Sequence, residues 1–328
     1  MSIVDTFKSR IQGASHIVIT THVMPDADGI GSQISLCLAL RKLGKKVICV
    51  NDEALLERYR YLDPAGVVLA LSEYEERYPV DLMIVVDTNT VDRVGPAVAK
   101  IMPESDKILF IDHHPCPFNP DHHHCIDTKA AATGQIVGQL IQGMGLAFDH
   151  AMALPLYTSI IIDTSSFRYP SVSSSTHTLV GQLMQTGISP SEAYNGIYGM
   201  KKIEHMHLLG AILTSAASNR RGDIAWIRVD KKIIDSYSSD VEDTHAFINH
   251  LLVLERIKVA CMFRDDGEIL KMSLRSSGEY DVGVIAKKLG GGGHSHSAAT
   301  FYRKKPQETT ESAILFLVSE MEKILDTL

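Results

Sequence analysis

An α/β fold is predicted for this 328-residue chain: an N-terminal parallel sheet with helices on both faces, followed by a smaller α+β C-terminal unit. Three observations point there. Short β-branched runs alternate with helical stretches over the first 115 residues. Those runs are apolar throughout rather than at every second residue, as strands buried on both faces are. Beyond residue 217 the pattern changes to strands paired across a tight turn.

The first expected strand is 16–20 (HIVIT), followed by an amphipathic helix over 29–43 and strands at 46–50 (KVICV), 81–87 (DLMIVVD) and 107–112 (KILFID). Helices are expected over 130–145 and 151–164, and the run SVSSSTH offers hydroxyl caps to another at about 176–187. Gly187 and Pro190 punctuate the chain before a long helix over about 190–217 that reads as a connector. Next come a strand (223–229), a helix (241–254), two strands around Arg264-Asp265-Asp266-Gly267, a helix (281–289), a glycine run, a strand (297–303) and a last helix (309–327). The expected domains are therefore 1–190, a helical connector at 191–217, and 218–328.

With 45% hydrophobic and 22% charged residues the chain has enough apolar surface for a sizeable core. No stretch approaches the roughly 20 apolar residues of a membrane span, and the start MSIVDTFKSRIQ has no apolar signal region, so a cytoplasmic protein without membrane contact is expected. Five cysteines without CxxC spacing argue against a disulfide framework and a zinc ribbon. A net charge of −7 without a basic run does not suit a protein that coats long nucleic acid. Small anionic substrates stay open, because bound cations supply local positive charge.

His22, Asp26, Asp28, Asp87, His113 and Asp163 each fall where a predicted strand or helix gives way to a loop. Ligands collect at the carboxyl ends of strands in such sheets. The densest cluster, HVMPDADGIGS (22–32), follows a strand and opens a helix; taken alone, its DADG reads equally well as an acidic helix cap. Asp87 ends an apolar strand, where it either caps the next loop or bridges two cations roughly 3.5–4 Å apart. Asp112-His113-His114 emerges directly from a buried strand, whereas Asp121-His122-His123-His124 lies in a Pro/Asn-rich loop and reads as surface. Hard and borderline ligands spread over four segments suit a pair of Mn²⁺ or Mg²⁺ ions better than a zinc staple. Arg168, after Asp163, reads as an ordinary surface arginine.

In the second unit Gly290 to Gly293, followed by His294, stands out. Ordering four glycines costs backbone entropy, so the run is expected to turn unhindered N–H groups toward a ligand such as a phosphate, the alternative being a flexible linker. Arg275 is expected to bring a guanidinium fork beside it.

Taken in order, HVMPDADGIGS, VVDT, DHHP and IIDTSSFRYP resemble the four motifs of the DHH phosphoesterase superfamily, and RSSGEYDVGVIAKKLGGGGHSHSAATF resembles its DHHA1 domain. The similarity spans nearly the whole chain and is strongest to the NrnA-type nanoRNases, which trim very short oligoribonucleotides and in many members dephosphorylate 3′-phosphoadenosine 5′-phosphate (pAp). Ala131-Ala132-Thr133-Gly134 also matches that group. The resemblance implies one metal on His22, Asp26 and Asp87 and a second on Asp28, Asp87, His113 and Asp163, with Asp87 bridging. It further implies that His114 faces the substrate phosphate, that Asp112 orients His113, and that Arg275, His294 and the amides of Gly291, Gly292 and Gly293 bind substrate. Two divalent cations, Mn²⁺ before Mg²⁺, short RNA or small nucleotides as partners, and compatibility with a homodimer complete the expectation. The competing expectations are a RecJ-like single-strand exonuclease and a non-catalytic nucleotide sensor on the same fold.

Overall fold

The computed structural model describes residues 2–75, 79–116, 123–199, 202–237, 244, 246–276, 280–293 and 295–327. They divide into two compact units, Met1–Met200 and Lys201–Leu328.

The first unit is built on six strands, β1 (His16–Thr20), β2 (Lys46–Asn51), β3 (Val68–Ala70), β4 (Leu82–Val86), β5 (Ile108–Asp112) and β6 (Cys125–Ile126). All pairings are parallel, in the order β3-β2-β1-β4-β5-β6. The order reverses between β1 and β4, so the loops leaving their carboxyl ends diverge and open a crevice. Six helices accompany the sheet: α1 (Ile3–Gln12), α2 (Ala27–Lys42), α3 (Thr133–Gly143), α4 (His150–Asp163), α5 (Ser174–Met184) and α6 (Pro190–Ile197).

Every residue of β4 and β5 is buried, as their unbroken apolar sequences require. One sheet face presents Ile17, Ile19, Ile84, Leu109 and Ile111 to α1, α2, α3 and α4. The opposite face, with Val18, Met83, Val85 and Phe110, packs on Val94, Val98 and neighbours from short 3₁₀ turns. Both faces are thus helix-covered, but unequally. The segment between β4 and β5 carries Gly95, Pro96 and Pro103, which interrupt any continuous α-helix there.

Helix α4 is buried on every side from Met152 to Ile161, and it lies tightly against α2. At the crossing, a Cβ on Gly31 would stand 2.3 Å from the Pro155 carbonyl oxygen, so only glycine permits this approach. The Ser35 hydroxyl donates to the Met152 carbonyl at 2.9 Å in the same contact.

The second unit has six further strands, β7 (Ala217–Ser218), β8 (Ile224–Asp230), β9 (Val259–Asp265), β10 (Ile269–Ser276), β11 (Gly292–Gly293) and β12 (Ser297–Arg303). They run in the order β11-β12-β10-β9-β8-β7, parallel only between β8 and β9. Helices α9 (Val282–Lys288) and α10 (Thr310–Leu325) cover Cys261, Phe263, Met272 and Leu274 on one face. On the other, α7 (Ile203–Leu213), α8 (Lys231–Ser236) and the 3₁₀ turn Phe247–Val253 cover Ala225, Ile227, Ala260 and Met262.

Two expected elements differ. The single connector helix over 190–217 is two helices, α6 and α7, one in each unit; α6 stops at Tyr198, where Gly199 follows, and α7 starts after an extended Lys202. Of the helix expected over 241–254, residues 241–243 and 245 lie outside the described residues, and Phe247–Val253 is 3₁₀ rather than α. None of the described helices is long and apolar enough to cross a membrane.

Replacing Gly31 by alanine is expected to overpack the α2–α4 crossing and cost about 2 kcal/mol. Urea denaturation followed by far-UV circular dichroism measures this, and an unchanged midpoint would contradict the crossing described here.

Candidate metal centre

All six predicted acidic and imidazole positions gather at the carboxyl edge of the first sheet. Asp26 is the N-cap of α2: its Oδ1 accepts from the backbone N–H of Asp28 at 2.8 Å and of Gly29 at 3.4 Å. The capping reading of DADG is therefore realised on one carboxylate oxygen. Asp28 is fully buried in the first turn of α2. Its carboxylate accepts from the N–H of Thr133 (2.8 Å) and Gly134 (3.0 Å) at the start of α3, and from the Ser159 hydroxyl of α4 (2.5 Å). The open end of α3 thus faces an anion, where backbone N–H groups and the helix dipole both favour negative charge.

Asp87 leaves β4 with φ 62°, a left-handed backbone that is uncommon for non-glycine residues. Its N–H still donates to Ile111 at 3.0 Å, and the Thr133 hydroxyl donates to its Oδ1 at 3.0 Å. The chain turns sharply there and throws the carboxylate into the crevice. His22 Nε2 lies 3.3 Å from Asp87 Oδ2, while His22 Nδ1 is 2.9 Å from the Val23 carbonyl. Such a backbone contact fixes the tautomer and leaves Nε2 as the ligand atom.

His113 follows the same logic. Its Nδ1 is 3.4 Å from the Ala130 carbonyl, and its Nε2 is 3.2 Å from Asp163 Oδ2, 3.8 Å from Asp28 Oδ2 and 3.9 Å from Asp87 Oδ1. Asp163 closes α4, and the chain then makes a left-handed turn through Ser165, Ser166 and Phe167. Arg168 is not a free surface arginine: its guanidinium donates to the Ser165 carbonyl (2.8 Å) and hydroxyl (2.7 Å) and clamps that turn.

Asp112 departs from the expected role. Its Oδ1 lies 2.5 Å from His114 Nδ1 and accepts from the His113 backbone N–H at 2.8 Å, so it orients the His114 ring, while the Ala130 carbonyl positions that of His113. Adjacent residues leaving a strand point opposite ways, which carries the alternate residue 114, not 113, back toward Asp112.

The electrostatics are those of crowded acids. Burial, then the charges of Asp28, Asp26, Asp112 and Asp163, push the Asp87 carboxyl well above its ordinary range. Burial raises Asp163 to about 7; His113 opposes this, and Asp28 and Asp26 add to it. For His113 burial resists protonation, yet Asp163, Asp28 and Asp112 outweigh it and raise the pKa. Burial keeps His114 below its ordinary value against the pull of Asp112, helped by His113 and Arg93. Among the described residues no lysine or arginine pairs with Asp26, Asp28, Asp87, Asp112 or Asp163.

Ligand atoms of His22, Asp26 and Asp87 lie within 4.8 Å of one another, as do those of Asp28, His113 and Asp163, and those of Asp87, Asp112, His113 and His114. Carboxylates and imidazoles without a thiolate form a hard to borderline donor set, and the uncompensated negative charge matches two divalent cations. The residues present therefore fit such a pair.

Sequence reasoning missed Ser159, Ala130 and Arg93; they act through a hydroxyl, a backbone carbonyl and a long-range charge, none of which leaves a motif. The second Asp-His-His string differs: His124 Nδ1 accepts from the Phe110 N–H at 3.3 Å, while Asp121 and His122 lie outside the described residues.

In the second unit the glycine run is partly strand. Gly292 and Gly293 pair with Ala299 and Ala298. A Cβ on Gly291 would stand 2.1 Å from the Ala299 carbonyl oxygen and one on Gly293 2.4 Å from the Ala298 Cα, so close backbone approach already demands glycine. Arg275 is half-buried on β10, and His294 lies outside the described residues.

Two family models match the chain: DHH family, N-terminal domain, over residues 16–161, and DHHA1 domain over residues 230–323. The bifunctional oligoribonuclease and PAP phosphatase NrnA of Thermus thermophilus is 28% identical over 309 residues, spanning 93% of this chain and 89% of that protein. The Bacillus subtilis protein of the same name is 27% identical, covering 87% and 89%. Among solved structures, an exopolyphosphatase-related protein from Bacteroides fragilis superposes with a TM-score of 0.86 at 25% identity, covering 98% of this chain and 96% of that one. RecJ of Thermus thermophilus in complex with Mn²⁺ shares the fold, with a TM-score of 0.54 at 12% identity, over 99% of this chain and 54% of RecJ.

A carboxyl whose pKa rises on folding holds its proton more tightly in the folded chain. Its stabilising effect is present below the ordinary carboxylate range and is lost as pH rises through the folded value. For Asp163 that window runs from 3.8 to about 7, and Asp87 acts in the same direction. Chelator-treated protein is thus expected to lose stability over this interval, and added Mn²⁺ to cancel the loss. Urea midpoints at a series of pH values, with and without metal, check both halves.

Proposed function

The chain belongs to the DHH phosphoesterase superfamily and carries its DHHA1 domain, and from this premise we propose a two-metal hydrolase that releases 5′-mononucleotides from very short oligoribonucleotides and dephosphorylates pAp. The observation that carries the reading is the pair of ligand groups meeting at Asp87: His22 and Asp26 on one side, Asp28, His113 and Asp163 on the other. The names of the Thermus and Bacillus relatives supply the substrate class.

We assign His22, Asp26 and Asp87 to one cation and Asp28, Asp87, His113 and Asp163 to the other, with Asp87 shared. Imidazole in both sets favours Mn²⁺ over Mg²⁺, which prefers oxygen and water. When bound, the cations would polarise the phosphoryl group and lower the pKa of the attacking water far below that of bulk water, toward about 7. The protein's own groups do the rest. Thr133 and the α3 amides hold Asp87 and Asp28 in place, so the site pays no reorganisation as the reaction proceeds. Asp112 engages His114 Nδ1 and directs Nε2 to the substrate. An incoming phosphate raises the proton affinity of this ring, which then donates to a nonbridging oxygen. Arg275, the amides of Gly292 and Gly293, and His294 are assigned to the nucleotide; the Gly291 N–H, expected to join them, is instead taken by the Ala286 carbonyl at 2.8 Å.

An acidic chain without a basic run favours short substrates over a long single strand, and a cytoplasmic protein is in keeping with such substrates. Asp87→Asn is expected to lower kcat on the order of a thousandfold. Initial rates for pAp, pApA, a pentanucleotide and a long RNA, with Mn²⁺ and then chelator, test the rest. The first three should turn over and stop on chelation; comparable rates on the long RNA would favour a RecJ-like exonuclease, and binding without turnover a sensor.

A further inference from the structure

In the second unit, the apolar cluster beneath α7, α8 and the 3₁₀ turn Phe247–Val253 draws, among the described residues, on β8 and β9 and on no side chain of β10 or β12. The remainder of that sheet face carries Lys271, Ser273 and Arg275 of β10 and Ser297, Ala299 and Phe301 of β12. Pairing sets Arg275 opposite Ser297, Ser273 opposite Ala299, and Lys271 opposite Phe301. Lys271 and Arg275 line one cavity of about 290 Å³ with Ser273 and Gly292-Gly293. Four residues apart on a strand, they stand about 13 Å from each other and serve as separate contacts.

Lys271 is committed to nothing else among the described residues. Its ammonium lies 5.7 Å from the Phe301 ring centroid and makes no ion pair; the neighbouring Asp266 is engaged by Arg264 at 3.4 Å. Burial, then the Arg264 charge, holds its pKa below the ordinary lysine value, so an anion there would be stabilised. Phe301 is 64% exposed, whereas Ala298 and Tyr302 on the other face of the same strand serve the core. A large exposed aromatic ring beside a cation, on a polar sheet surface, is the arrangement that stacks nucleobases and holds their phosphates.

We propose that Lys271 and Phe301 form a subsite for an additional nucleotide, Lys271 on its phosphate and Phe301 under its base, and that this pair sets preference for oligonucleotides over pAp. The proposal rests on the phosphoesterase reading and on Arg275 serving the first nucleotide. A bisphosphate of one nucleoside offers no second base to the ring.

The test uses full-length Mn²⁺-loaded protein and the variants Phe301→Ala, Phe301→Trp and Lys271→Met. Phe301→Ala and Lys271→Met should raise KM for pApApA about tenfold with little change in kcat, and leave KM for pAp where it was. Phe301→Trp should restore the trinucleotide value. An equal loss on both substrates, or no loss on pApApA, overturns the subsite. A second arm titrates a 2-aminopurine trinucleotide into chelator-treated protein and follows stacking as fluorescence quenching. Quenching that Phe301→Ala abolishes supports the subsite, and identical quenching overturns it. Should the wild type hydrolyse neither substrate, the phosphoesterase reading falls while this binding arm still decides the subsite.

Discussion

The buried carboxylate of Asp28 is the constraint on which the first unit is organised. It sits in the first turn of α2 and takes hydrogen bonds from the start of α3 and from Ser159 of α4. Three helices from distant parts of the chain are thus keyed to one anion behind the β1–β4 crevice. A buried charge left without donors would cost several kcal/mol, so the α3 terminus and Ser159 are necessary to the fold as well as to the site. Gly31 lets α2 and α4 come close enough for Ser159 to reach.

The same arrangement creates its own tension. Once Asp28 is fixed, Asp87, Asp26 and Asp163 are held near it with no lysine or arginine among the described residues paired to them, and protonation of Asp87 and Asp163 becomes easier. A fold optimised for stability alone would place an arginine here. Crowding like charges at a site that local backbone strain also marks is the signature of a centre completed by something positive.

Much of this was legible beforehand. Strands β1, β2, β4 and β5 are written in largely apolar runs, and His22, Asp87 and His113 stand just after β1, β4 and β5. Periodicity and punctuation fix such features locally. What depended on three dimensions was not readable: β3 and β6 are too short to carry a pattern, and pairing with their neighbours defines them. Which imidazole Asp112 would engage was likewise decided by the direction in which consecutive residues leave β5. The glycine run had a second cause, crowding by β12, that composition could not separate from ligand binding.

The left-handed backbone of Asp87 carries a consequence for laboratory evolution. Glycine is the residue that relaxes such a conformation at least cost, and aspartate and glycine codons differ by one base. A library selected only for heat resistance would therefore drift to glycine at this position, gaining ruggedness while discarding the carboxylate. Thermostabilisation of this scaffold has to be screened for turnover at every round.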